Sequence, residues 1–137
     1  GRFVTRPFTP EQIAHMVDTL RSHPEGSVYT AYSLYALGGA VSRRKPADTA
    51  FFYRDARYIA LLQSVWKEDD AEAAGIAWVE QNYPYLASLT AGSYVNFPYS
   101  SLRNPMQAYY GGNANRLRRV KRLYDPYNVF CFQQSIR

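Results

Sequence analysis

A chain of 137 residues that is 47% hydrophobic has room for one domain, or for part of a larger one, with one real core. Its single cysteine, Cys131, excludes an internal disulfide framework and a cysteine-based zinc site, and two histidines, His15 and His23, form no metal-site pattern. The net charge of +5 is uneven, because residues 101–137 hold seven basic side chains against one acid, Asp125.

Aromatic content is high at 16%, with 13 tyrosines against 2 tryptophans, which suits half-covered strands or the lining of a pocket for a polar or aromatic substrate. No apolar run approaches the ~20 residues that span a bilayer, so no membrane partner is expected. The first residues, Gly1-Arg2-Phe3-Val4, lack the shape of a signal peptide.

In chain order, Thr9-Pro10-Glu11-Gln12 has the form of a capped helix start, followed by Ile13, Met16, Val17 and Leu20 at helical spacing and a stop at His23-Pro24-Glu25-Gly26. Ser27 to Leu37 predicts a strand with Tyr29, Ala31, Ser33 and Tyr35 on one face and Val28, Thr30, Tyr32 and Leu34 on the other. Gly38-Gly39 breaks it. Thr49 to Tyr53 and Tyr58 to Trp66 predict two more strands, the second apolar enough to be central and covered on both faces. Gln63 is its exception; it bonds backbone or faces a polar ligand.

Asp69 opens a helix with Glu72 at the capping-box position, Ala73, Ile76, Ala77, Val79 and Tyr83 on its buried side, and Pro84 as its stop. Gly92 to Phe97 predicts a short strand. Asn104-Pro105 starts a short helix that Gly111 ends. Asn113 caps a last helix with Leu117, Val120 and Leu123 facing inward, and Val129 to Ile136 runs extended. Strands and helices do not alternate regularly, so the expected fold class is α+β: an antiparallel sheet with helices on one face, a C-terminal helix and an extended tail, as a single unit over 1–137.

Chemistry is sparse at this level. Gly38-Gly39 and Gly111-Gly112 are neither a dinucleotide fingerprint nor a phosphate loop. Asp69-Asp70 sits at a helix start, where acids suit the helix dipole. The basic run Arg116–Arg122 has the composition of a phosphate-binding stripe, but its apolar positions mark it first as a solvated helix face, so nucleic acid is not the expected partner.

Taken together, Tyr94-Val95-Asn96, then Tyr109-Tyr110-Gly111-Gly112-Asn113, Arg116-Leu117, Val120-Lys121, Tyr124-Asp125-Pro126-Tyr127-Asn128-Val129-Phe130 and Gln134-Ser135-Ile136 resemble the C-terminal signature of the berberine-bridge-enzyme-like FAD-linked oxidases. The resemblance covers almost the whole chain and is most specific from Tyr109 onward. It departs from the family at Phe52-Tyr53-Arg54, where Pro-His-Arg is frequent, and at Leu61, where Gln is frequent. Those departures leave the substrate unassigned.

The resemblance implies FAD as cofactor and a small-molecule, hydroxylated substrate, a carbohydrate or a secondary metabolite. The chain then corresponds to the C-terminal part of the substrate domain with its returning tail. The FAD-binding domain, and the His and Cys that tether flavin in this family, lie outside it; Cys131 does not match that cysteine. Tyr94 matches the family's catalytic base. A free tyrosine titrates near ~10, so such a base has to couple proton removal to hydride transfer. Asn96, Tyr110 and Asn113 are the implied cofactor contacts. Tyr35 and Gln63 are the substrate candidates.

Alternatives of other classes are a non-catalytic binding module with the same fold and a basic nucleic-acid binder. A sheet separated from the rest of such an enzyme is also expected to expose an apolar face and an unpaired edge, and so to self-associate.

Overall fold

Three strands and four helices organise the chain, whose computed structural model describes all residues from Gly1 to Arg137. They are β1 (Arg2–Val4), α1 (Pro10–Arg21), β2 (Ser27–Ala36), β3 (Tyr58–Trp66), α2 (Glu72–Leu89), α3 (Pro105–Tyr110) and α4 (Ala114–Tyr124). The sheet is antiparallel in the order β1-β3-β2. β2 pairs with β3 along its length, from Ser27 opposite Trp66 to Ala36 opposite Tyr58, with one irregularity between Ser27 and Tyr29. β1 covers only the start of β3, with Phe3 opposite Ile59.

The register sorts side chains onto two faces. Val4, Ala60 and Leu62 point to the helices and meet Met16 of α1 and Trp78, Tyr83 and Leu86 of α2 in the main core. Each such side chain contributes roughly 1.5–3 kcal/mol on full burial. α2 lies close to β3 because Gly75 has no side chain: a Cβ there would stand 2.6 Å from the Trp66 ring. On the opposite face, Phe3, Ala56 and Ile59 form a second, smaller core with Phe51, Tyr53, Tyr94 and Phe97 packed against it.

That second core ends at Ile59. Further along the same face, Leu61, Gln63 and Val65 are only half-buried, and Tyr29 and Tyr35 are exposed. β3 is central, as expected, yet covered on both faces only at one end. Together with the tail this leaves just 22 of 137 residues buried, few for a chain able to form a full domain core.

α1 begins as its residues predict. Thr9 Oγ1 accepts from the Gln12 N–H and the Gln12 side chain accepts from the Thr9 N–H, the reciprocal cap. Other elements differ from expectation. Asp69–Ala71 forms a short 3-10 turn before α2, with no side-chain cap. Pro84 does not stop α2, which continues to Leu89. Tyr83 and Leu86, on either side of the proline, are both buried, and Tyr83 stacks on Tyr99 at 3.9 Å. Their packing offsets a cost of about 3 kcal/mol for proline inside a helix.

Thr49 to Tyr53 is irregular rather than a strand. Its carbonyls are taken by side chains and local turns instead of a ladder: Arg54 donates to Phe51 O at 3.0 Å, Asn113 donates to Thr49 O at 3.0 Å, and Phe52 O accepts from the Arg54 N–H at 2.9 Å. The same amide donates to Pro46 O at 2.7 Å, so Asn113 ties down the preceding loop and makes no side-chain cap on α4.

The apolar stripe of α4 is also not turned inward as predicted. Leu117 is half-buried, but Val120 is 42% and Leu123 73% exposed. Beyond α4 the tail turns twice rather than running straight. Asp125 accepts from the N–H groups of Val129 (2.7 Å) and Phe130 (3.1 Å), and the Lys121 ammonium donates to Asp125 and to the Phe130 carbonyl. Further on, Gln134 is buried; it accepts from the Tyr109 hydroxyl and donates to Tyr99 O at 2.8 Å. Between these anchors Tyr124, Tyr127, Val129, Phe130 and Phe132 stand exposed.

The hydrogen bond from Lys121, joined by those from Val129 and Phe130, holds the Asp125 carboxyl below its ordinary value. A carboxylate depressed in the folded state contributes stability above its ordinary value near ~4, and that contribution is lost as pH falls through the lower, folded value. Amide hydrogen exchange at Val129 and Phe130 is therefore expected to accelerate at acid pH beyond the intrinsic trend, and Asp125→Asn should remove that pH dependence. Equal protection of both amides at neutral and strongly acid pH would contradict it.

Candidate functional site

The segment carrying Tyr94 is a turn, not the strand its pattern suggests. Ala91 bridges Phe3, with N–H to O distances of 3.0 and 2.8 Å. Gly92 then adopts φ +53°, and the chain closes a turn in which Phe97 N–H donates to Tyr94 O at 3.0 Å. The turn brings residues two apart together: the Asn96 side-chain amide donates to the Tyr94 phenol oxygen at 3.0 Å.

Three layers hold this turn in place. Tyr94 N–H donates to Gly1 O at 2.9 Å and Ser93 N–H to Ala108 O at 2.7 Å, which links β1, the turn and α3. Phe3, Phe51 and Phe97 set their rings edge-on to Tyr94, with centroids 5.4–6.3 Å away. Beneath it, Ser93 is 2% exposed, and its hydroxyl accepts from Arg2 (3.2 Å) and pairs with the Tyr83 hydroxyl (3.2 Å).

Arg2 spends its remaining donors on Thr90 Oγ1 and the carbonyls of Ala87 and Thr90, at the C-terminal end of α2. A cation there suits the helix dipole, and no carboxylate is paired with it. Arg2 and Ser93 carry no sequence signal of this role; β1 is three residues long, and only tertiary pairing reveals it.

Tyr53 closes the other side. Its ring stacks on Phe3 at 4.4 Å, and its hydroxyl donates to Ala108 O at 2.8 Å. Burial pushes its phenol above the ordinary tyrosine range.

Tyr35 lies on the same side of the sheet, its ring 5.2 Å from that of Phe97. Gln63 is further along, opposite Ala31, and donates to the hydroxyl oxygens of Tyr29 and Ser33 at 3.4 Å each. Tyr94, Asn96 and Tyr35 thus gather at one end of the open face, with Gln63 farther out. Tyr29 and Ser33 share the alternating row of Tyr35, which was the available signal for them.

Tyr110 and Asn113 sit apart, at the end of α3. Tyr110 is half-buried, and burial raises its phenol above the usual range. Asn113 is buried with its amide hydrogens on the 46–49 loop. Of the basic run, Arg116 donates to Ala47 O at 2.8 Å and Arg118 to Asn115 at 3.1 Å. No three His, Cys, Asp or Glu side chains come together as metal ligands.

Residues 93–137 match the family model described as berberine and berberine-like. Over 136 residues, 99% of its length, the chain is 38% identical to the FAD-linked oxidoreductase YgaK of Bacillus subtilis, of which it spans 30%. Among solved structures, a glycopeptide hexose oxidase complexed with teicoplanin superposes with a TM-score of 0.88 at 30% identity, over 99% of this chain and 31% of that one. An aclacinomycin oxidoreductase superposes with a TM-score of 0.87 at 26% identity, over 99% and 31%. The chain therefore spans less than a third of each relative; it carries a berberine-like domain over residues 93–137 and is similar along its length to FAD-linked oxidoreductases.

Proposed function

We propose that the full-length protein is an FAD-dependent oxidoreductase that oxidises a hydroxylated small molecule, and that this chain is the C-terminal part of its substrate domain with the returning tail. The observation that carries the reading is the Asn96–Tyr94 bond of 3.0 Å at the rim of an open, uncharged sheet face whose other side is closed by helices. A flat cofactor fits such a face, and the residues beside it are aromatic or neutral polar. Bound there, beside Asn96 and with Tyr110 and Asn113 on its far side, flavin would supply a two-electron hydride acceptor. Tyr94, as its phenolate, takes the proton from the substrate hydroxyl. Asn96 fixes the phenol oxygen that receives it. Tyr35 and Gln63 hold the substrate against the sheet. Tyr110 and Asn113 support the cofactor side through α3 and the 46–49 loop.

The exposed stretch from Leu123 to Phe132 supports a second part of the proposal: the FAD-binding domain packs on it. Leu123, Tyr127, Val129 and Phe130 are each more than 70% exposed, more apolar surface than a soluble domain leaves bare without a partner. Expressed alone, residues 1–137 are expected to bind FAD weakly or not at all and to self-associate through this surface and the free edge of β2. Sedimentation with and without excess FAD checks both; a strict monomer, or a stoichiometric yellow protein, would contradict them.

The function itself is tested on the full-length product. It should purify with flavin absorbance that bleaches anaerobically on adding an oxidisable alcohol. A colourless full-length protein that takes up no FAD would overturn the proposal.

A further inference from the structure

Between Leu89, the last residue of α2, and Tyr94 lie only Thr90, Ala91, Gly92 and Ser93, and the glycine gives this stretch a permissive backbone. Main-chain bonds hold it along the outer edge of β1: Phe3 and Ala91 bond in both directions, and Tyr94 N–H donates to Gly1 O. The side chain between those bonds is Arg2, and its guanidinium reaches both ends of the stretch. Nη2 donates to Ala87 O (3.2 Å) and Thr90 O (3.3 Å), Nε to Thr90 Oγ1 (3.0 Å) and Nη1 to Ser93 Oγ (3.2 Å). Thr90 Oγ1 in turn donates to Leu86 O at 2.6 Å, and Ser93 Oγ pairs with the Tyr83 hydroxyl of α2. One rigid, planar group therefore fixes the end of α2 and the residue before Tyr94 relative to each other.

The arrangement needs an arginine. Its three nitrogens point in fixed directions, whereas a lysine would bring one nitrogen on a flexible stem. No carboxylate is paired with it, so the carbonyls at the end of α2 are what its charge is set against. Without the guanidinium, those carbonyls and the buried Ser93 hydroxyl lose a donor. Gly92 then lets Ser93 and Tyr94 shift together, and the edge-on contacts of Phe3, Phe51 and Phe97 supply no polar anchor against it. We infer that Arg2 is a positioning residue for Tyr94: acting through Ser93, it sets where the phenol oxygen stands for proton removal. This rests on the proposed function for what that oxygen does.

The test compares the full-length flavoprotein with Arg2→Lys and Ser93→Ala. The second keeps Arg2 on α2 and the Ser93 N–H on Ala108 O, and it carries the test alone if Arg2→Lys folds poorly. Amide hydrogen exchange, read without substrate, should show Tyr94 and Phe97 exchanging about tenfold faster in both variants, with the amides of β3 unchanged. Anaerobic rapid mixing with the alcohol that bleaches the parent flavin should show reduction slowed about ten- to a hundredfold, the cost of misplacing a reacting group by ~1 Å, with substrate affinity little changed. On a Tyr94→Phe background the same substitutions should alter the rate by less than about twofold, because the group they position is gone. Unchanged exchange at Tyr94, or equal slowing with and without the phenol, would overturn the inference. Tyr94→Phe at the parent rate would instead overturn the base assignment, a failure told apart because exchange is read without chemistry.

Discussion

Replacing Tyr94 by Phe in the full-length protein is expected to slow flavin reduction about 10²–10⁴-fold, the usual worth of a positioned general base. The substitution removes the oxygen held by Asn96 and keeps the ring that Phe3, Phe51 and Phe97 enclose. Substrate affinity should therefore change far less than the rate, the pattern of a lost transition-state interaction. Rapid mixing under anaerobic conditions isolates reduction from reoxidation. Asn96→Ala keeps the base but frees its oxygen, so it should give a smaller loss than Tyr94→Phe. If Tyr94→Phe reduces flavin at close to the parent rate, the base assignment is wrong, and Tyr35 becomes the next candidate on that face.

Gly92→Ala should be the most damaging single methyl in this region. Gly92 has φ +53°, where an L side chain costs about 1–2 kcal/mol. The new Cβ would also stand 2.0 Å from Tyr53 Cζ and 2.2 Å from its hydroxyl, inside the ring that stacks on Phe3 and bonds Ala108 O. Overpacking of that kind costs roughly another 1–3 kcal/mol. A combined loss of about 3 kcal/mol is a large share of a typical domain's stability, so the thermal midpoint should drop by several degrees. Tyr94 lies two residues on, so flavin reduction should fall as well. Pairing Gly92→Ala with Tyr53→Ala relieves the clash but not the φ strain. If Gly92→Ala melts with the parent, the close approach of Tyr53 is not the constraint described.

Local pattern was enough for several elements. The reciprocal cap of Thr9 and Gln12 needs only residues three apart, and it forms as predicted. The alternation of Tyr29, Ala31, Ser33 and Tyr35 against Thr30, Tyr32 and Leu34 survives pairing, because each strand residue flips sides. The motif run from Tyr109 to Ile136 pointed to the family whose model matches residues 93–137, since those residues lie within one continuous segment.

Long-range contacts decided the rest. Thr49–Tyr53 has strand composition, but Arg54 and Asn113 take its carbonyls, and Asn113 lies more than sixty residues away. Pro84 stays inside α2 because Tyr83 and Leu86 are buried around it, a matter of packing rather than propensity. The apolar positions of α4 predict burial, yet burial needs a second surface, and within these residues none covers Val120 or Leu123.

The candidate site divides the same way. Tyr94 and Asn96 were legible as a pair, but the physical reason for their contact is a turn that Gly92 starts, not a shared strand face. Arg2, Ser93 and Tyr83 were invisible as a group, because their sequence separations are about ninety and ten residues and no periodicity links them. By itself the sequence determined the capped start of α1, the strand character of β2 and β3, the sidedness of β2 and the family resemblance. Only the tertiary structure decided which face stays open and what stands behind Tyr94, because both depend on strand order and on which side chains reach distant carbonyls.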